Sequence, residues 1–196
     1  MSFFSGFKWD SQKTNFRLCL ITSLYLVFTL LPISSWADEL NATGWNYYGQ
    51  LGDGTGTSRS TPVQVAVNVS QVAAGWGHSL FVKTDGTLWA AGDNQWGQLG
   101  DGTTIGRFEP VQVATDVSQI SAGEGHSLFV KTDGTLWAMG QNEYGQLGDG
   151  TQTDRFVPVK VATAVTKTAG GDRHSLFLAV SHNIKPMLWI PLLLLE

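Results

Sequence analysis

His78, His126 and His174 recur at a spacing of 48 residues, and each is followed directly by a serine. An imidazole near a hydroxyl is the pairing from which general-base and nucleophilic catalysis are built, and imidazole is also the commonest metal ligand. Two features turn the reading toward structure. A catalytic set is asymmetric, whereas this one repeats at a fixed offset, and no Asp or Glu repeats beside the imidazoles to orient them. Adjacent residues of a strand point to opposite faces, so His78 and Ser79 do not pair with each other. The rings are expected to tie neighbouring strands by hydrogen bonds.

Asp53, Asp101 and Asp149 repeat in the same way, inside Leu-Gly-Asp-Gly-Thr. A calcium loop of the EF-hand type alternates its oxygen ligands and closes on a Glu, a pattern that Asp93–Gly97 lacks. Asp before Gly is turn chemistry, with the carboxylate accepting from nearby backbone amides. The glycines of Gly97–Gly102 are followed by neither the Lys-Ser/Thr nor the helix of a phosphate cradle. No Gly-x-Ser-x-Gly elbow is present. Cys19 is the single cysteine, which excludes a disulfide scaffold and a zinc site of cysteine pairs. The reading is of a non-enzyme, with no catalytic residue, no metal and no cofactor.

Twelve Lys and Arg face 16 Asp and Glu in 196 residues, a net charge of −4. That balance offers no basic footprint for the phosphates of a nucleic acid. With 42% hydrophobic residues the chain is too apolar to be disordered. Charged residues are only 14% and glycines number 23, a composition of many short strands joined by tight turns.

The elements that position these residues come from the repeat itself. Gly-Gln-Leu-Gly-Asp-Gly-Thr occupies 49–55, 97–103 and 145–151, and Pro62, Pro110 and Pro158 keep the same period. The stretch GHSLFVKTDGTLWA at 77–90 returns unchanged at 125–138. Within it, Ser79–Lys83 and Thr87–Ala90 flank Thr84-Asp85-Gly86, and Asp-Gly between β-prone runs predicts a hairpin. Val69–Gly75 predicts a strand before the hairpin, and Pro110–Ala114 one after it, with proline at the start where no ladder bond is lost. Trp89 and Trp137, inside the hairpins, are expected in the core. Four short antiparallel strands per 48 residues make a propeller blade.

The pattern V-x-x-V-A-A-G-x-x-H-S-L-F-V-K-x-D-G-T-L-W-A-x-G-x-N-x-x-G-Q-L-G-D-G-T resembles the regulator of chromosome condensation repeat over residues 43–178. The resemblance implies a seven-bladed β-propeller. Two complete periods and two partial ones are present, so the expected fold is all-β: the blades of an incomplete propeller across residues 38–180. The open blade edges of such an array call for a cover, and a homo-oligomer is one way to supply it. The resemblance also implies an alternative function: the guanine nucleotide exchange on a small GTPase performed by the family's nuclear founder.

Residues 1–37 carry a different signal. Lys8, Lys13 and Arg17 precede sixteen uncharged residues, Leu18–Ile33, and Ser35-Trp36-Ala37 offers a small-x-small cleavage site. This is the pattern of a secretory signal peptide cleaved after Ala37. The apolar stretch is short of a full bilayer span, so no stable membrane anchor is expected after cleavage. The protein is read as a secreted or periplasmic, bacterial member of the family it resembles. At the other end, residues 181–196 form an atypical apolar tail where the hairpin signal vanishes. A reading frame truncated or shifted near Leu178 is expected from that loss of register.

Recognition is written where the units differ. Positions 76, 124 and 172 are Trp, Glu and Asp; 45, 93 and 141 are Trp, Asp and Gln; 47, 95 and 143 are Tyr, Gln and Glu. Positions 48, 96 and 144 stay aromatic as Tyr48, Trp96 and Tyr144, which suits packing between blades. Loop aromatics make good protein-binding anchors, because they bury much area at little entropic cost. The candidate binding residues are therefore Trp45, Tyr47, Trp76, Trp96, Glu124 and Tyr144. The function expected is that of an exported module binding an unidentified protein through blade-end loops.

Overall fold

The computed structural model describes residues 38–180; the expected signal peptide and the apolar tail lie outside the described residues. Twelve strands and no helix make up this region. β1 (Glu39–Gly44) and β2 (Arg59–Val67) form a two-stranded sheet. β3 (Val69–Ala74), β4 (His78–Lys83), β5 (Leu88–Gly92) and β6 (Arg107–Ala114) form a four-stranded antiparallel blade in chain order. β7 (Val117–Ala122), β8 (His126–Lys131), β9 (Leu136–Gly140) and β10 (Arg155–Ala162) repeat it, and β11 (Val165–Gly170) pairs with β12 (Ser175–Ala179). The described chain is thus two whole blades between two half blades.

Each blade is built as its sequence dictates. In the hairpin joining β4 to β5, the Lys83 amide donates to Thr87 O at 2.9 Å and the Gly86 amide to Lys83 O at 2.9 Å. Gly86 takes a φ of 80°, which glycine alone adopts cheaply. Asp85 then caps the turn by accepting from both the amide and the hydroxyl of Thr87. The run Leu80-Phe81-Val82 is buried throughout, without the in-out alternation of a half-solvated strand, because a neighbouring blade covers each face.

Leu80, Val82, Leu88 and Ala90 of the first whole blade meet Val117, Phe129 and Met139 of the second, with Leu99 from the Gly-Gln-Leu-Gly loop plugged between them. The second whole blade presents Leu128, Val130, Leu136 and Ala138 to Leu147 and Val165 in the same manner. Trp89 and Trp137, expected in the core, sit at its rim, Trp137 packing against the core between the whole blades. Each is half-buried on the blade surface, stacked on Phe81 or Phe129 at 6.4 and 6.3 Å. Lys83 and Lys131 lie over their outer faces, an amphipathic cover that leaves the indole partly wet.

Candidate functional site

The long loops β1–β2, β5–β6 and β9–β10 and the short loops β3–β4, β7–β8 and β11–β12 emerge at one end of the blades, and a buried polar scaffold holds the long ones rigid. Asn94 is fully buried. Its side-chain amide donates to Asp101 Oδ1, Thr103 O and Ile105 O at 3.0–3.2 Å, and its Oδ1 accepts from the Leu99 amide. Asn46 and Asn142 hold their loops with the same set of bonds. The aspartates are turn residues and also ion-pair partners: Asp53, Asp101 and Asp149 each meet an arginine, Arg59, Arg107 or Arg155, at 2.6 Å. Burial raises the carboxyl of Asp53, but the Thr55 hydroxyl, Arg59, the Thr55 amide and Asn46 outweigh it and hold the group at about 2; Asp149 is held at about 2 by the corresponding partners. Neither the asparagine hub nor the arginine is among the residues that sequence reasoning singles out, although both recur at the 48-residue period.

The histidines do form His–Ser contacts, but between blades and not within a strand. His78 Nε2 lies 2.9 Å from Ser127 Oγ, and His126 Nε2 lies 2.9 Å from Ser175 Oγ. Ser127 gives its only proton to Gln98 O at 2.7 Å, so the His78 Nε2–H is the donor and the serine oxygen accepts. Nδ1 of His78 and of His126 then carries a lone pair with no partner, buried under Gly75 or Gly123. A Cβ on Gly75 would collide with His78 Cε1, which is why glycine stands there. Burial first, and the nearby His126 second, push His78 down to about 4; burial does the same to His126. The serine is not activated and the ring is sealed from solvent, so this pair is a tie between blades. Among the described residues no three of His, Cys, Asp and Glu gather as a metal site.

The variable residues fall into two groups. Trp45, Tyr47 and Trp76 are 49%, 67% and 54% exposed and converge with Tyr48 into one aromatic cluster. Trp45 lies 5.5 Å from Trp76, 5.4 Å from Tyr48 and 6.3 Å from Tyr47 between ring centroids, and Tyr48 lies 5.6 Å from Trp76. The rings come from two adjacent units, and Tyr48 joins them while also packing against Gly77 of the next blade. The second group is polar. Glu124 and Asp172, at equivalent positions of neighbouring blades, line a shallow groove with Trp76. Asp172 raises the Glu124 carboxyl by sharing a hydrogen bond with it, and Arg173 lies 3.8 Å from Glu124. Arg173 also donates to the Tyr144 hydroxyl at 3.1 Å and covers its ring. Trp96 reaches Gly125 beside Glu124 but joins neither the aromatic cluster nor Tyr144.

Both the blade and its loop hub are therefore properties of one repeated unit, and a family profile of that unit matches the chain. The profile of the regulator of chromosome condensation (RCC1) repeat matches residues 40–82, 85–130 and 133–178. The chain belongs to the RCC1 repeat family. A second RCC1 repeat profile matches residues 69–98 and 117–146. Among curated proteins none matches the chain significantly in sequence. Among solved structures it is similar to Prp20p from Saccharomyces cerevisiae, at 22% identity and a TM-score of 0.65, over 74% of this chain and 41% of that one. It is similar also to the yeast RCC1 (Prp20) bound to Kap60, at 24% identity and a TM-score of 0.63, over 72% of this chain and 37% of that one. The RCC1 repeats here thus span about two fifths of the length of those proteins, and the likeness is one of fold.

Proposed function

We propose that these RCC1 repeats serve as an exported, non-catalytic module that binds a protein through the loop end of its blades. One observation carries the reading: four aromatic rings from two units form a continuous surface cluster, and three of them, Trp45, Tyr47 and Trp76, stand at positions where the other units hold Asp, Gln or Glu. Exposed rings held on a rigid hub are the anchors of protein interfaces, because they lose little freedom when buried. The repeat itself needs none of the rings at 45, 47 or 76, since the second unit folds with Asp93, Gln95 and Glu124 there. Prp20p, similar in fold, has binding properties toward Gsp1p and histones, which are proteins; that supports the class of partner without naming one for this chain.

Export rests on the basic, apolar and small-x-small order of residues 1–37. Fractionation followed by N-terminal sequencing checks it: the expected mature protein is found outside the cytoplasm and starts at Asp38. Recovery of Met1 in the cytoplasmic fraction would refute export. For binding, a photo-crosslinking residue in place of Tyr47 is expected to capture a discrete extracytoplasmic protein. Trp76→Ala should lower that capture about tenfold or more, as loss of a central aromatic anchor does. Exchange activity would instead accelerate nucleotide release from a small GTPase, indifferently to Trp76.

A further inference from the structure

We infer that a second copy of this chain completes the half blades, β12 of one copy pairing antiparallel with β1 of the other. Among the described residues the outer edge of β12 faces no strand, and Leu176 and Leu178 are 64% and 61% exposed where their counterparts Leu80 and Val82 are 1% exposed. The 48-residue period makes β12 the counterpart of β4 and β8, and β1 the counterpart of β5 and β9. The register of the whole blades, Leu80 opposite Ala90 and Val82 opposite Leu88, then sets Leu176 opposite Ala42 and Leu178 opposite Leu40 of the second copy.

Two further features fit that register. Between the first half blade and the first whole blade runs a groove lined by Leu40, Ala42, Leu51, Phe81 and Ala91. These are the counterparts of Leu88, Ala90, Leu99, Phe129 and Met139, which surround Leu80 and Val82 between the two whole blades. The groove is that same core without its two knobs, and Leu176 and Leu178 are the knobs without their core. The interblade ties are incomplete in a matching way. Ser79 donates to Gln50 O at 2.7 Å, as Ser127 does to Gln98 O, but accepts from no histidine among the described residues. His174, the counterpart of His78 and His126, makes no side-chain hydrogen bond among the described residues, its Ser partner lying one blade onward. In the paired assembly His174 of one copy meets Ser79 of the other. The same pairing sets the Asp172-Arg173 loop of one copy beside Trp45 of the other, as Gly77 lies against Asp93 within a blade. Joined at both edges, the described residues of two copies hold six four-stranded blades, within the ~4–8 of closed propellers, so the assembly inferred is a dimer.

The test is the mass of the full chain by size exclusion with light scattering, with two edge variants. Lys83 donates to Thr87 O, so the mutually bonded pairs of the β4–β5 ladder are every second residue, Phe81 with Trp89 and Ser79 with Ala91. Phe177 and Asn41 are the counterparts of Phe81 and Trp89, and their amides point to the open edges. Asn41→Pro and Phe177→Pro therefore remove one outward donor each and leave the β1–β2 and β11–β12 ladders intact. The expected result is two protomer masses for the unaltered chain and one for either variant, with the circular dichroism of strands retained. Mixing the two variants restores a species of two protomer masses, because one undamaged β12 and one undamaged β1 remain. A monomeric unaltered chain, as a tail folded over β12 in cis would give, overturns the inference. So does a dimer whose mass neither variant changes.

Discussion

At the scale of single residues, the interblade histidines make the fold acid-sensitive in a predictable window. His78 and His126 stand at about 4 in the folded chain against an ordinary 6.5. Between those values the unfolded chain binds more protons than the folded one, so stability rises with pH there. The contribution is fully present above 6.5 and is lost as pH falls through 4. For a ring as buried as His78 the loss is on the order of 2–4 kcal/mol. Thermal melts from pH 7.5 to 4 are expected to fall steadily below about 6.5, and His78→Gln should flatten the slope while lowering the neutral-pH melting temperature. A slope unchanged by His78→Gln would show that the ring does not control it. Asn94 acts at the same scale without titrating. Asn94→Ala strands the Leu99 amide and three loop acceptors, so urea unfolding should show a loss of about 2–3 kcal/mol. The tie by hydrogen bonds is legible in the 48-residue spacing of the histidines, and the turn role of Asp53 in the glycine after it. The serine partner is not legible, because strand geometry excludes only the neighbour within the strand. It says nothing of a serine 49 residues away on the next blade.

At the scale of elements, the β6–β7 and β10–β11 connections bend through one residue of positive φ, Asp116 at 62° and Ala164 at 56°, as the β2–β3 connection does through Asn68 at 59°. Asn and Asp tolerate the left-handed region because their short polar side chains bond locally, whereas alanine has no such relief. Ala164→Asn is therefore expected to stabilise the protein by about 0.5–1 kcal/mol, a rise of ~2–4 °C in melting temperature by calorimetry. No change, or a fall, would mean that the turn carries no strain. The hairpin strands can be placed from the sequence because Asp85-Gly86 and Asp133-Gly134 mark the turns, whereas Pro110, expected to start the fourth strand, lies inside β6 at an irregularity of the ladder, the strand beginning at Arg107. The half-burial of Trp89 escapes the sequence for a physical reason. A run buried on both faces reads the same whether its last aromatic ends inside or at the rim, and the lysine that covers the indole lies six residues back across the hairpin.

At the scale of the whole molecule, the cores between the whole blades are closed while, among the described residues, those at the half blades are open, and that asymmetry has a thermodynamic signature. A fold that completes itself with a second copy gains stability by mass action, so its melting temperature depends on concentration. The unaltered chain is expected to melt higher as its concentration rises from about 1 to about 100 μM, whereas Asn41→Pro, which lacks the outward amide of β1, should melt at one temperature throughout. Trp76→Ala supplies the contrast. The indole is 54% exposed and belongs to neither interblade core, only to the proposed recognition surface, so that variant should keep the concentration dependence of the unaltered chain while losing its crosslinked partner. If Trp76→Ala abolished the concentration dependence as well, the contact between copies would extend from Trp45 across the aromatic cluster to Trp76. The binding surface would then have to be sought at the groove that Glu124 and Asp172 line.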